Sequence, residues 1–152
     1  MDRAADRDGF TLVEVALVLT IAAVLIGFAV PQIQRGGHMR DVRGARDGVQ
    51  LMGARARARA MEQARTVEFH LDVAGATAAI VEGGDTLERF AFGEELDVTA
   101  TSSVEELVLC YTSRGFASEP CSTSIGDLEV VFERAGHEAS LEIWQLGQMR
   151  KL

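Results

Sequence analysis

No catalytic constellation is legible in these 152 residues. The three histidines, His38, His70 and His137, lie far apart in sequence, and each reads as a surface or strand residue rather than a ligand. His70 shares a strand face with Asp72, which is what an exposed face looks like. His137-Glu138 falls in a predicted hairpin turn and lacks the helix on which a zinc-binding His-Glu pair is mounted. There is no Gly-x-Ser-x-Gly elbow and no phosphate-binding loop, and Gly83-Gly84-Asp85 reads as an ordinary turn. The acidic turns Gly84-Asp85 and Gly93-Glu94-Glu95 lack oxygen ligands at the defined spacing of a calcium loop. Only two cysteines are present, Cys110 and Cys121, and no histidine is near either in sequence, which argues against a metal site. Internal repeats and low-complexity tracts are absent too. The reading is a protein that is not an enzyme, with no cofactor and no metal.

What the chain has instead is one apolar run. From Phe10 to Val30 there are 21 residues, and Glu14 is the only strongly polar one. About 20 apolar residues at 1.5 Å per residue cross a bilayer's hydrocarbon core. A core helix in so small a chain would alternate apolar and polar faces, whereas this one is apolar all round. A cleaved secretory signal fits poorly. It needs a basic leading region and an apolar stretch of roughly 7–15 residues, but Arg3 and Arg7 here stand against Asp2, Asp6 and Asp8. A carboxylate in a membrane helix costs roughly 2.5–3.5 kcal/mol at the centre and less near an end, so Glu14 is a functional candidate. It needs a cation, and no Lys or Arg lies between Phe10 and Val30.

Gly9-Phe10-Thr11-Leu12-Val13-Glu14 followed by an apolar helix resembles the prepilin signal of type IV pilins and type II secretion pseudopilins. The resemblance implies that a prepilin peptidase cuts between Gly9 and Phe10 and methylates the new amine of Phe10. It implies that Glu14, fifth in the mature chain, pairs with the N-terminal amine of a neighbouring subunit during assembly. Pro31 matches the helix-kinking proline of many members. One departure is the acidic leader, where the family usually has a basic one. The segments that follow are a leader at 1–9, a transmembrane or filament-core helix at 10–30, its amphipathic continuation at 31–65 and a β-rich domain at 66–152.

Charge is unevenly placed. Residues 35–65 hold eight arginines against three acids, while residues 66–152 hold sixteen acids against five basic side chains. An acidic outer domain argues against broad nucleic-acid binding, because phosphate contacts depend on Lys and Arg. Arg35, Arg40, Arg43 and Arg46 follow the apolar run closely, so the positive-inside rule would place the C-terminal domain in the cytoplasm. Two cysteines in a small domain instead suit an oxidising compartment, and a bridge between them would stabilise by roughly 3 kcal/mol. The alternative is two unrelated buried thiols. The family resemblance implies a single-pass inner-membrane protein with a periplasmic domain, in agreement with the cysteines.

Val42, Ala45, Val49, Met52, Ala56 and Ala60 recur at three- and four-residue spacing, which predicts one buried helix face. Arg43, Arg46, Arg55, Arg57 and Arg59 fall largely on the others, where they would meet lipid head groups, an acidic neighbour or only solvent. Gly36-Gly37 marks a point where the helix is expected to loosen or bend. From Thr66 the period switches to two. Val67, Phe69, Leu71 and Val73 predict a half-buried strand, followed by strands at 77–82, 87–92, 96–100 and 104–111. A turn-rich loop at 113–124 and a closing hairpin of 128–133 and 139–146 around Gly136 complete the expectation. The fold class is α+β: a long N-terminal helix packed on an antiparallel β-sheet domain of about six or seven strands, as in pilins. Ala54-Arg55-Ala56-Arg57-Ala58, Arg65-Thr66-Val67, Tyr111-Thr112-Ser113-Arg114-Gly115 and Leu146-Gly147-Gln148-Met149-Arg150 resemble the GspH/FimT type of minor pseudopilin.

Two functions follow from the resemblance. One is a structural minor pseudopilin or minor pilin of a type II secretion system or type IV pilus. Its partners would be other pilin or pseudopilin subunits, the prepilin peptidase, the inner-membrane assembly platform and membrane lipid. The alternative is a FimT-like minor pilin that captures DNA for uptake through basic residues near the C-terminus, here Arg150 and Lys151. Gly147 and Arg150 match that basic motif, but Gln148 stands where a second arginine is expected.

Overall fold

The helical periodicity that the sequence shows belongs to α1, Leu12–Gln63. The structure, a computed structural model, describes residues 12–119, 121–123 and 127–152; within α1 the side chains of 27–36 are not described. The chain divides into two compact units, residues up to Gly37 and residues from His38 to Leu152. Helical backbone runs through Gly36 and Gly37, and the boundary between the units falls directly after them.

In the second unit the expected stripe is buried: Val42, Ala45, Val49, Met52, Ala56 and Ala60 are at most 4% exposed. They share one core with Phe69, Leu71, Leu107, Leu109, Phe132 and Leu141. Fully burying a side chain such as Leu or Phe contributes about 1.5–3 kcal/mol, whereas an exposed ion pair contributes about 0–1. The core therefore holds this unit together, and the surface pairs trim it. The arginines opposite the stripe are used within the domain. Arg55 pairs with Glu88 and Arg59 with Glu82 at 3.4 Å, and Arg65, just beyond the helix, also reaches Glu82 at 3.9 Å. Arg46 is only 13% exposed at its side chain and meets Asp47 at 3.0 Å.

Among the described residues eight strands form two four-stranded antiparallel sheets, against the six or seven strands expected from the sequence. The first has the order β3-β2-β1-β5, from β1 (Val67–Asp72), β2 (Thr77–Glu82), β3 (Asp85–Phe90) and β5 (Glu106–Tyr111). The second is β4-β6-β7-β8, from β4 (Thr99–Ser102), β6 (Leu128–Arg134), β7 (His137–Ile143) and β8 (Met149–Lys151). Val67, Phe69 and Leu71 are fully buried while Asp72 is exposed, the alternation read from the sequence. The β6–β7 hairpin turns on Ala135 and Gly136, φ 51° and 77°, a two-residue turn with both central residues left-handed. His137 therefore begins β7, opposite Arg134, and is not in the turn where the sequence placed it.

Between β3 and β4 the chain forms a short helix, α2 (Phe92–Leu96), where the sequence reading had strands at 87–92 and 96–100. Glu94 and Glu95 lie in its first turn, which suits the positive end of the helix. The Glu95 side chain also accepts from the Ala91 amide at 3.2 Å, satisfying the backbone donor of the N-cap residue. Phe92 is buried, edge-on to Phe132 at 5.5 Å.

Candidate assembly and contact sites

In the first unit, Glu14 sits in the opening turn of α1 and is exposed. Around it the helix presents an apolar surface: Leu12, Val13, Leu17, Leu19, Leu25 and Ile26 are all at least 61% exposed. Apolar surface this continuous marks a membrane or protein contact. Gly9 and Phe10 lie outside the described residues, as does the side chain of Pro31. Among the described residues no helix is long and apolar enough to cross a membrane. Described side chains cover only Leu12 to Ile26 of the expected span, short of the ~20 residues that a crossing takes.

In the second unit, Cys110 and Cys121 form a disulfide with their Cα atoms 5.8 Å apart. The sulfurs lie near a carboxylate of Glu68, but joined to each other they are not thiolate ligands. The bridge pins the loop after β5 along the outer edge of that strand. Ser122 Oγ accepts from the Cys110 amide at 2.9 Å and Thr123 Oγ1 from the Val108 amide at 3.0 Å. The Thr123 amide donates to the Val108 carbonyl at 2.8 Å, and that of Ser118 to Cys110 at 3.1 Å. An unpaired strand edge is a template for association, and here it is covered by the loop.

The C-terminal strand β8 returns beside α1. Gln50 donates to the Met149 carbonyl at 3.1 Å, Lys151 pairs with Asp47 at 3.1 Å, and Arg150 pairs with Glu142 across the β7–β8 register at 3.2 Å. Burial acts to raise the Asp47 carboxyl, but hydrogen bonds from Lys151 and Arg46 outweigh it and hold the group below the ordinary carboxylate value. That stabilisation is present above the ordinary value and is lost as pH falls through the lowered one. Next to this strand lies an open cleft of about 260 Å³, lined among others by Gly53, Arg57, Tyr111 and Gly147. Tyr111 is 1% exposed and its hydroxyl donates to the Gly147 carbonyl at 2.6 Å.

Residues 5–30 match the family described as "Prokaryotic N-terminal methylation motif". Two crystal structures of the type IV minor pilin FimU of Pseudomonas aeruginosa (strain PAO1) share the fold of this chain. The one in space group P21 has a TM-score of 0.55 at 19% identity, over 74% of this chain and 89% of that chain. The one in space group P65 has a TM-score of 0.52 at 20% identity, over 72% and 91%. The fold is pilin-like. No curated protein matches its sequence. What the chain shares with these structures is the fold, and the motif lies in its first 30 residues.

Gly9, Phe10 and Glu14 of the pilin-like chain all fall inside the methylation motif, and Pro31 directly follows it. The structure joins the two cysteines in a bridge. It does not leave Arg150 and Lys151 as a free basic pair, because each faces a carboxylate. What sequence reasoning missed is β8 itself, whose three residues are too few for a periodic signal. Gly147, at φ 77°, was its one local mark.

Tyr111 is the chain's single tyrosine. Burial pushes its hydroxyl up to about 12 against the ordinary 10.0, with the Arg57 charge opposing. Phenolate absorbance should therefore titrate with a midpoint near 12 in the folded protein and near 10 in denaturant. The sign follows from linkage: the folded state keeps the proton longer, so stability is intact below pH 10 and lost towards pH 12, by about 3 kcal/mol. A folded-state midpoint at 10 would show that Tyr111 is not packed as described.

Proposed function

We propose that this chain is a structural minor subunit that assembles through its N-terminal helix into a periplasmic filament, of a type II secretion system or a type IV pilus. The observation that carries this is the methylation motif at residues 5–30 joined in one chain to a minor-pilin fold. The work of such a subunit is mechanical rather than catalytic. Apolar helices pack together, first in the inner membrane and then in the filament core, consistent with the exposed apolar surface from Leu12 to Ile26. Glu14 sets axial register through the N-terminal amine of a neighbour. The domain from His38 to Leu152 is periplasmic in this reading, and its disulfide suits that compartment. The partners are neighbouring subunits, the prepilin peptidase, the assembly platform and membrane lipid. DNA capture through Arg150 and Lys151 is the weaker reading, because both are already paired with acids on a domain of acidic balance.

The N-terminal mass of the protein, expressed with and without its prepilin peptidase, tests the proposal. Peptidase-dependent loss of residues 1–9 with a methyl group on Phe10 is the expected result. An intact Met1 in the presence of the peptidase, or cleavage elsewhere, would remove the assembly role of Glu14.

A further inference from the structure

Among the described residues three arginines are half-buried: Arg46, Arg57 and Arg134. Arg46 meets Asp47, and Arg134 meets Asp41 and Asp97. Arg57 meets no carboxylate, and its buried Nε makes no hydrogen bond. It lines the cleft between α1 and the β7–β8 turn, together with Gly53, Met61, Tyr111 and Gln148. The loop after β5 holds the guanidinium in place. Its central carbon lies 5.8 Å from the centre of the Phe116 ring, a cation–π contact. Gly115 comes so close that a Cβ there would lie 3.1 Å from Arg57 Nε. Phe116 is fixed in turn, because its carbonyl accepts from the Thr112 amide at 3.0 Å and from the Thr112 hydroxyl at 3.1 Å. Nor does Tyr111 balance the charge, since its phenol keeps its proton and donates it to the Gly147 carbonyl.

A charge drawn partly out of water without a counter-ion is costly. A guanidinium charge is delocalised, so an anion at its outer nitrogens relieves the whole group. The cleft, at about 260 Å³, falls below the ~300–1,000 Å³ of cofactor and small-molecule pockets and suits protein side chains. Beside the cation it offers apolar surface, with Met61 and Phe116 exposed at 46% and 43%. We propose that the Arg57 cleft is a docking site for an extended acidic segment of a partner protein, which inserts an Asp or Glu carboxylate flanked by an apolar side chain. The occupant follows from charge. Nucleic acid would bring a row of phosphates to a single cation, on a domain whose residues 66–152 hold sixteen acids against five basic side chains. A second copy would bring another domain of the same acidic balance. An extended segment with one carboxylate brings a single charge, matched to the one that Arg57 holds. Every residue of the cleft belongs to the unit from His38 to Leu152, so the inference stands apart from the role of the N-terminal helix.

The test uses the full chain in detergent micelles and two peptides blocked at both ends, acetyl-Gly-Leu-Glu-Leu-Gly-amide and its Gln counterpart, titrated calorimetrically. The Glu peptide should bind about tenfold more tightly, the size of one hydrogen bond to a charged group, and the difference should shrink as salt is added. Arg57→Gln should abolish that preference. Arg59→Gln should keep it, since Arg59 is already paired with Glu82. The parent protein carries a second, independent reading in its nuclear magnetic resonance spectrum. The Glu peptide should shift the amides of Gly53 and Gly147, which line the cleft, and not those of Gly83 and Gly136 in the β2–β3 and β6–β7 turns. Equal affinity for the two peptides, a preference that survives in Arg57→Gln, or no binding at millimolar peptide would each overturn the proposal. A DNA oligonucleotide that shifts the same amides at lower concentration would overturn it in favour of nucleic acid. Self-association of the protein alone that Arg57→Gln abolishes would overturn it in favour of a second copy. Melting curves of the free variants separate lost binding from lost folding.

Discussion

Gly147→Ala should destabilise the C-terminal domain by about 3 kcal/mol, and Gly136→Ala by only about 1–2 kcal/mol. Both glycines have φ 77°, in the left-handed region that costs an L side chain roughly 1–2 kcal/mol. Their surroundings differ. A Cβ at Gly136 would meet nothing within 4 Å, whereas one at Gly147 would lie 2.7 Å from Tyr111 Cε1 and 3.0 Å from the Ala117 Cβ. Neither neighbour is free to move: the Tyr111 ring is buried and its hydroxyl is bonded to the carbonyl of Gly147 itself. Ala117 is held by its amide on the Leu146 carbonyl at 3.1 Å and by a bridge to Tyr111. Overpacking of this kind adds about 1–3 kcal/mol. At about 4 °C per kcal/mol for a domain of this size, thermal melts of the two variants should differ by several degrees. Equal shifts would mean that the Tyr111 ring yields without cost, and the tight seat of the β7–β8 turn would be wrong.

The same turn shows where reading the sequence stops. Local patterns came through. The stripe from Val42 to Ala60, the alternation of Val67, Phe69 and Leu71, and the hairpin at Gly136 are each fixed by neighbours a few residues away, and each is where the sequence put it. The prepilin-type motif is equally local, and it matches over residues 5–30. Long-range pairing did not come through. That β1 lies between β2 and β5, while β4 crosses to join β6, depends on which strands meet in the folded core, and periodicity is silent on that. α2 was misread because Phe92 and Leu96 suit a strand in isolation. The Glu95 hydrogen bond to the Ala91 amide and the burial of Phe92 against Phe132 decide for helix. The arginines of α1 read as facing lipid head groups, an acidic neighbour or solvent, but Arg55 and Arg59 meet acids of β3 and β2 that only the fold brings near.

Breaking the Cys110–Cys121 bridge should cost about 3 kcal/mol, the loss expected when a loop of this size gains back its freedom in the unfolded chain. Cys110→Ser with Cys121→Ser, or reduction of the native chain, should give nearly the same drop in denaturation midpoint, because the bridge and not the thiol chemistry is at stake. The structural effect should be local before it is global. With the loop released, the amides of Val108 and Cys110 lose the Thr123 and Ser122 hydroxyls that now accept from them. Hydrogen exchange at those two amides should therefore accelerate more than at Phe69 or Leu71, which stay between β2 and β5 within the sheet. An uncovered β5 edge is also a pairing template, so the reduced protein should self-associate at concentrations where the oxidised one does not. Unaltered exchange at Val108 together with an unchanged midpoint would mean that the Ser122 and Thr123 hydrogen bonds hold the loop without the disulfide. The cysteines would then say nothing about how the domain protects its edge.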